Sequence, residues 1–223
     1  NKLDQIKTLP AQAIGIILAI SLLLILITYP FAEQILNFYN AKGIILDYSS
    51  SYYRIRIFGL PFTLLTFAIF GIFRGLQNTL IPMIIAIIGA LLNVGLDFAF
   101  VYGIEGFIPA MHVEGAAYAS LFSQIFMALL SVIFLLKKTE IPLKIQLPLH
   151  KELPNLAVMI LNLIIRTIAL NVALYFGTSF SAAYGAEYSA AYTILLNIWF
   201  FGAFIIDGYS REGNILSGKL NGE

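Results

Sequence analysis

The sequence predicts an all-α fold: a polytopic transmembrane helix bundle of about six membrane-spanning helices. Three observations carry that prediction. Of 223 residues, 60% are hydrophobic and 11% charged, whereas a soluble domain runs near 45–50% apolar and about 25% charged. Mean hydropathy is +0.88. The apolar residues gather into six runs, each close to the ~20 residues a helix needs to cross a bilayer. None shows the alternation of a membrane barrel.

The runs are, in order, roughly 10–31, 52–73, 79–102, 114–136, 154–177 and 186–209. The first is almost uniformly aliphatic. The second carries Pro61 near its start and ends in GIFRG, where Gly71 and Gly75 stand in a small-xxx-small pattern that suits helix packing. The third, LIPMIIAIIGALLNVGLDFAFVYG, opens on Pro82 and holds Asn93 and Asp97 well inside it. The fourth opens VEGAAYASLFSQ, with small residues that allow close approach to a neighbouring helix and the Ser120 hydroxyl among them. Between the fourth and fifth lies KKTEIPLKIQLPLHKELP, with three prolines and four lysines. Proline discourages a continuous helix, and lysine suits an anionic lipid surface. This stretch reads either as a seam between two lobes or as an ordinary cytoplasmic loop. The fifth run carries Asn162 and Arg166, and the sixth Trp199 and Asp207.

Counting basic residues by side orients the bundle. With the N-terminal tail on one side and six crossings, the C-terminal tail returns to it. That side holds nine of the 13 Lys and Arg, the opposite side holds Lys42, Arg54 and Arg56, and Arg166 lies within a span. Both ends are therefore expected in the cytoplasm, with the bundle in the inner (plasma) membrane. The chain begins at Asn1 in a polar stretch, and it is expected to be part of something longer.

The same counts exclude several functions. A net charge of +1, without a basic run interleaved with aromatics, argues against nucleic acid. With no cysteine, there are no disulfides, thiolate metal sites or cysteine nucleophiles. His112 and His150 fall in predicted loops, and no His or Glu lies deep in a span, so no enzyme active site and no cofactor are expected.

Asp97 is the most informative residue. A carboxylate at the bilayer centre costs roughly 2.5–3.5 kcal/mol on insertion scales and usually faces a protein interior or a watery cavity. Asn93 lies one turn earlier on the same helix face. With Ser120 on the next helix, three oxygen donors make part of a small-cation site. Desolvation favours a proton there, while neighbouring oxygens and water favour a hard cation such as sodium at Asp97. A polar contact that merely holds helices together is the plain alternative. Arg166 sits about twelve residues from either end of its span, too deep for easy snorkelling. Asn162 shares its face, and Asp207 is the available acid in that half, so the three are read as part of a substrate path or gate. Asp207 also stands four residues before Arg211, in favourable helical ion-pair spacing. Trp199 and other aromatics would suit flat organic cations if they lined a cavity.

RIRIFGLP (54–61), FRGLQNTLIPM (73–83), LLNVGLDFAFVYG (91–103), VEGAAYAS (113–120) and IIDGYSREGNILSGKLNGE (205–223) together resemble the multidrug and toxic compound extrusion family. LIIRTIAL (163–170) resembles its DinF-like branch. The resemblance implies a twelve-helix transporter in two six-helix lobes, of which this chain covers helices three to eight. Residues 1–136 would then belong to the N-terminal lobe, 137–153 to the inter-lobe linker and 154–223 to the start of the C-terminal lobe. It implies a secondary antiporter that exports organic cations or other amphipathic compounds in exchange for sodium or protons by alternating access. It places Asn93, Asp97 and Ser120 at the family's N-lobe cation site, with Ser where Thr is common; an acid on helix one completes that site and lies outside this chain. The glutamate that some branches carry on helix seven is absent from 154–177, where Arg166 stands instead. The expected partners are a small amphipathic or cationic substrate, the lipid bilayer and the missing helices. A lipid-linked precursor flippase of the same superfamily is the nearest alternative, followed by a receptor or structural bundle.

Overall fold

Leu9–Thr28 forms the first helix, α1. Pro10 is tolerated in its first turn because that backbone nitrogen has no intrahelical acceptor, and Pro30 helps to end it. A short helix, α2 (Ala32–Phe38), follows. Next come α3 (Ile44–Arg56), a 3-10 turn at Ile57–Gly59 and α4 (Leu60–Gly75). Then come α5 (Leu80–Val101), α6 (His112–Lys138), α7 (Leu153–Tyr184) and α8 (Ala186–Leu220). The computed structural model describes residues 9–38, 42–139 and 153–220. It is all-helical apart from turns and one isolated bridge, Ile104 to Ile108. Among the described residues, six helical segments are long and apolar enough to span a membrane. Most of the expected linker (140–152) and His150 lie outside the described residues.

The second crossing differs most from the sequence reading. It was expected over 52–73 but runs from Ile44 to Gly75 as one 32-residue segment. The polar run Asp47–Ser51 does not stop a helix that gains tertiary support: Arg54 donates to Glu33 of α2 at 2.9 Å and lies over the Tyr29 ring at 5.8 Å. The local tightening at Ile57–Gly59 precedes Pro61, whose ring clashes with the carbonyl four residues back and which lacks an N–H for the ladder. The turn after α4 is closed by Asn78 N–H to the Phe73 carbonyl and Leu76 N–H to the Ile72 carbonyl, both 2.9 Å. Gln77 takes the left-handed position there, with φ at 60°.

By contacts the chain divides into two units, Asn1–His150 and Lys151–Glu223. In the first, α6 is the hub. It packs most extensively on α5 and also on α3 and α4, while α1 lies on α4. Lipid tails are as apolar as leucine, so membrane helices associate by close packing and small residues dominate their seams. Accordingly Gly115, Ala117, Ala119, Ser123, Ala128 and Ser131 are buried along α6. A Cβ on Gly115 would run into the Phe100 carbonyl group, and one on Gly89 into the Met127 thioether. Around Gly71 and Gly75 an added Cβ would meet nothing, so the two glycines of GIFRG mark no close helix approach among the described residues; Phe73 between them packs into the core. Ile14, Ile69, Phe73, Ile81, Ile85 and Leu135 form an apolar cluster where the end of α4, the start of α5 and the end of α6 converge.

In the second unit, α7 and α8 pair with each other, and Tyr192 fills the space beside Gly177. The spans Val158–Ser181 and Glu187–Ser210 bury no residue within this chain. Trp199 is exposed, edge-on to Phe200 at 5.1 Å.

Two glycine substitutions test the α5–α6 seam. Gly115→Ala is expected to lower stability by about 1–3 kcal/mol through overpacking, because the obstructing atoms are backbone and cannot turn away. Gly89→Ala should cost less, since the Met127 side chain can swing. Thermal unfolding of the detergent-solubilised protein measures both, and equal losses would contradict the seam geometry.

Candidate functional site

Beyond the apolar cluster, α3, α4, α5 and α6 line an open cavity of about 400 Å³. Antiparallel pairing of α5 with α6 creates it. The approach of Gly115 to Phe100 and of Gly89 to Met127 sets the register. Asn93 of α5 and Ser120, Ser123 and Gln124 of α6 all line this cavity. Small residues on α5 (Ala86, Gly89 and Ala90) leave room on one wall. Thr63, Thr66, Phe67 and Phe70 of α4 supply the opposite wall.

The polar groups around this cavity fall into two kinds. Thr66 donates to the Phe62 carbonyl and Ser123 to the Ala119 carbonyl, each at 2.8 Å. Such back-bonding one turn up the helix satisfies the hydroxyl proton and leaves oxygen lone pairs as acceptors. Asn93 Nδ2 and Gln124 Oε1 are different: each is buried and has no hydrogen-bond partner among the described residues. Leaving a buried polar atom unpaired costs about 1–3 kcal/mol. Which end of an amide faces a cavity follows from its partners, so Asn93 can present nitrogen or oxygen. Arg56 is the charged residue on the lining.

Of the three residues expected to hold a cation, the structure brings Asn93 and Ser120 onto one cavity wall. Asp97 is half-buried one turn further along α5 and is not part of that lining. No cluster of three or more His, Cys, Asp or Glu occurs among the described residues, so any ion there would rest chiefly on neutral oxygens. Gln124, Thr66 and Arg56 were missed by sequence reasoning. Gln124 falls one turn after Ser120, a spacing that could have identified it. Thr66 and Arg56 join only because the helix that holds α3 and α4 lies against α6.

The second expected group is less assembled. Asn162 and Arg166 lie one turn apart on α7 and both are exposed within this chain. Asp207 on α8 is exposed and already engaged in an interaction. No ion pair joins Arg166 to Asp207 among the described residues, as their different depths along the two helices require. The Arg211 side chain lies outside the described residues, so its spacing from Asp207 has no structural counterpart here.

Comparisons with known proteins agree with the motifs. Residues 1–99 match the MatE family model. Protein DETOXIFICATION 43 of Arabidopsis thaliana is 30% identical over 173 residues, covering 77% of this chain and 31% of that protein. Multidrug export protein MepA of Staphylococcus aureus (strain N315) is 29% identical over 124 residues, 56% of this chain and 26% of that protein. MepA of Staphylococcus saprophyticus is 28% identical over 140 residues, 62% of this chain and 30% of that protein. The chain thus spans less than a third of the length of these relatives. No solved structure matches. Together, the family match, these relatives and six apolar spans show that the chain belongs to the MatE family, the multidrug and toxic compound extrusion proteins, and is multi-pass in a membrane.

Proposed function

We propose that this chain forms part of a secondary antiporter that exports organic cations or other amphipathic compounds in exchange for sodium or protons. One observation carries the reading: Asn93 and Ser120, from two helices, meet on one cavity wall a single turn from the acid Asp97. Residues 1–136 serve as part of the N-terminal lobe, 137–153 as the link and 154–223 as the start of the C-terminal lobe. The LIIRTIAL segment supports the DinF-like branch. The lobes sit in the plasma membrane with both ends of this chain in the cytoplasm.

The mechanism is alternating access. A cation arriving at Asp97 neutralises a half-buried charge and changes which packing of α3 to α6 is favoured. A ligand shifts such an equilibrium only by its difference in affinity for the two states, and the shift is reciprocal. Cation entry thereby drives release of the exported compound. The Thr63, Thr66, Phe67 and Phe70 wall gives the N-lobe side of the substrate cavity its mixed aromatic and hydroxyl character. Asn162, Arg166 and Asp207 act along the path or its gate in the C-terminal half. A flippase of lipid-linked precursors calls for a strongly cationic cavity; Arg56 is the one charged residue along this lining.

Three variants of the full-length protein test the reading. Asp97→Asn should abolish gradient-driven export while the protein still reaches the membrane; drug resistance at wild-type level in that variant would refute the assignment. Asn93→Leu should remove the cation response and raise stability in cation-free buffer by about 1–3 kcal/mol, because an unpaired buried amide is replaced by an apolar group. Thermal unfolding with and without the cation reads both effects. Arg166→Ala should slow transport and leave cation binding at Asp97 intact; loss of both would reduce Arg166 to a structural role.

A further inference from the structure

Away from the polar cavity, α5 and α6 line a second, apolar groove of about 380 Å³. Leu92, Leu96 and Phe100, one turn apart on α5, are its half-buried floor. Phe122, Phe126 and Leu129 of α6 are its exposed rim, and Phe122 meets the Phe100 ring edge-on at 5.9 Å. From Leu92 to Phe100 a helix rises about 12 Å, close to the ~15 Å hydrocarbon depth of one leaflet. Phe100 stands next to the end of α5, so the groove runs from the α5–α6 loop to about the middle of the bilayer.

Composition decides between a helix and an acyl chain as its occupant. Membrane helices dock through Gly, Ala, Ser and Thr, because their backbones must come close. The cavity-lining face of the same two helices has Ala86, Gly89, Ala90, Ser120 and Ser123. Every residue lining the groove is Leu, Ile or Phe. Such large side chains hold another backbone away but leave a slot that a flexible chain can follow, with dispersion contacts along its length. Charge then selects the head group. No Lys or Arg occurs between Arg74 and Lys137, whereas Glu105 and Glu114 fall at the loop end of the two helices. Tyr118 and Glu114 continue the Phe122 face of α6 outward in one-turn steps, and Glu114 is exposed. A carboxylate one turn from an aromatic ring suits an ammonium group and repels a head group of net negative charge.

We propose that this groove binds a phospholipid whose head group ends in a primary ammonium, with an acyl chain along Leu92–Phe100 and the ammonium on the Glu114 carboxylate. A primary ammonium donates three hydrogen bonds that a quaternary one lacks, which separates ethanolamine from choline heads. The site concerns the lipid and not the exported compound, so it goes beyond the transport reading and does not rest on it. Glu114 has a competing local role: a carboxylate in the first turn of α6 also favours the helix dipole. That role carries no preference among lipids.

The test is mass measurement of the intact full-length protein in detergent, titrated with phosphatidylethanolamine, phosphatidylcholine or phosphatidylglycerol of matched acyl chains. One ethanolamine lipid is expected to stay bound per protein, with roughly tenfold or higher affinity than either other lipid, the selectivity of one hydrogen bond to a charged group. Glu114→Gln should remove that preference and leave choline-lipid binding unchanged. Leu96→Trp, which fills the floor of the groove, should weaken ethanolamine and choline lipids alike. Phe126→Ala, on the exposed rim, should weaken both to a smaller extent and serves where the bulkier variant fails to fold. Wild-type selectivity in Glu114→Gln assigns that carboxylate to the helix dipole and overturns the proposal. Equal retention of the three lipids overturns it too, as does retention that neither groove variant alters, the outcome expected where a helix of the longer protein covers the groove. None of these results bears on Asp97→Asn, whose export assay decides the transport reading separately.

Discussion

The close approach of α5 to α6 is the contact on which the first unit depends. In hydrocarbon there is little to gain from burying one apolar side chain against another, so attraction between helices comes from many short van der Waals contacts. Glycine, alanine and serine permit those contacts because backbones can meet. Gly115 against the Phe100 carbonyl and Gly89 against Met127 are the points where that requirement is strictest. They also set the register of the pair, and with it which side chains of α5 face which of α6. Asn93 and Ser120 share a cavity because those two glycines are where they are.

The same pair of helices separates an apolar region from a polar one. Ile69, Phe73, Ile81, Ile85 and Leu135 close the packing where the chain turns from α4 into α5. Further along, small residues on α5 face threonines and phenylalanines on α4, and the helices part around the cavity. The two-part second crossing contributes to this shape. Its 3-10 turn at Ile57–Gly59 lies beside Gln124, whose amide oxygen occupies the place where a side chain on Gly59 would begin. Polar groups at this depth have protein neighbours or a watery space as alternatives to lipid, and the cavity supplies the second.

The sequence was a good guide to what is repeated along the chain and a poor guide to what is brought together. All six spans were legible because each is a continuous apolar run, and a lone acid inside one stands out at once. The start of the second span was misplaced because Asp47 and the serines after it look like a loop; the helix there is supported by Arg54 on Glu33 and Tyr29, which are contacts at a distance in sequence. The glycines of GIFRG looked like a packing pair and stand beside open space, whereas isolated glycines at 59, 89, 103, 115 and 177 are the crowded ones. Gln124 was passed over although it follows Ser120 by one turn, because spacing along one helix does not tell which face is buried.

What the sequence determined alone is therefore the membrane class, the number of crossings and the residues polar enough to matter inside them. These follow from transfer free energies, which belong to each residue and sum along the run. What only the tertiary structure decided is which of those residues share a cavity and which remain apart. Asn93 and Ser120 meet, Gln124 and Thr66 join them, Asp97 stays a turn away, and Arg166 and Asp207 do not pair. The reason is geometric: register and helix rotation come from steric contact between small residues on different helices, and no single run contains that information.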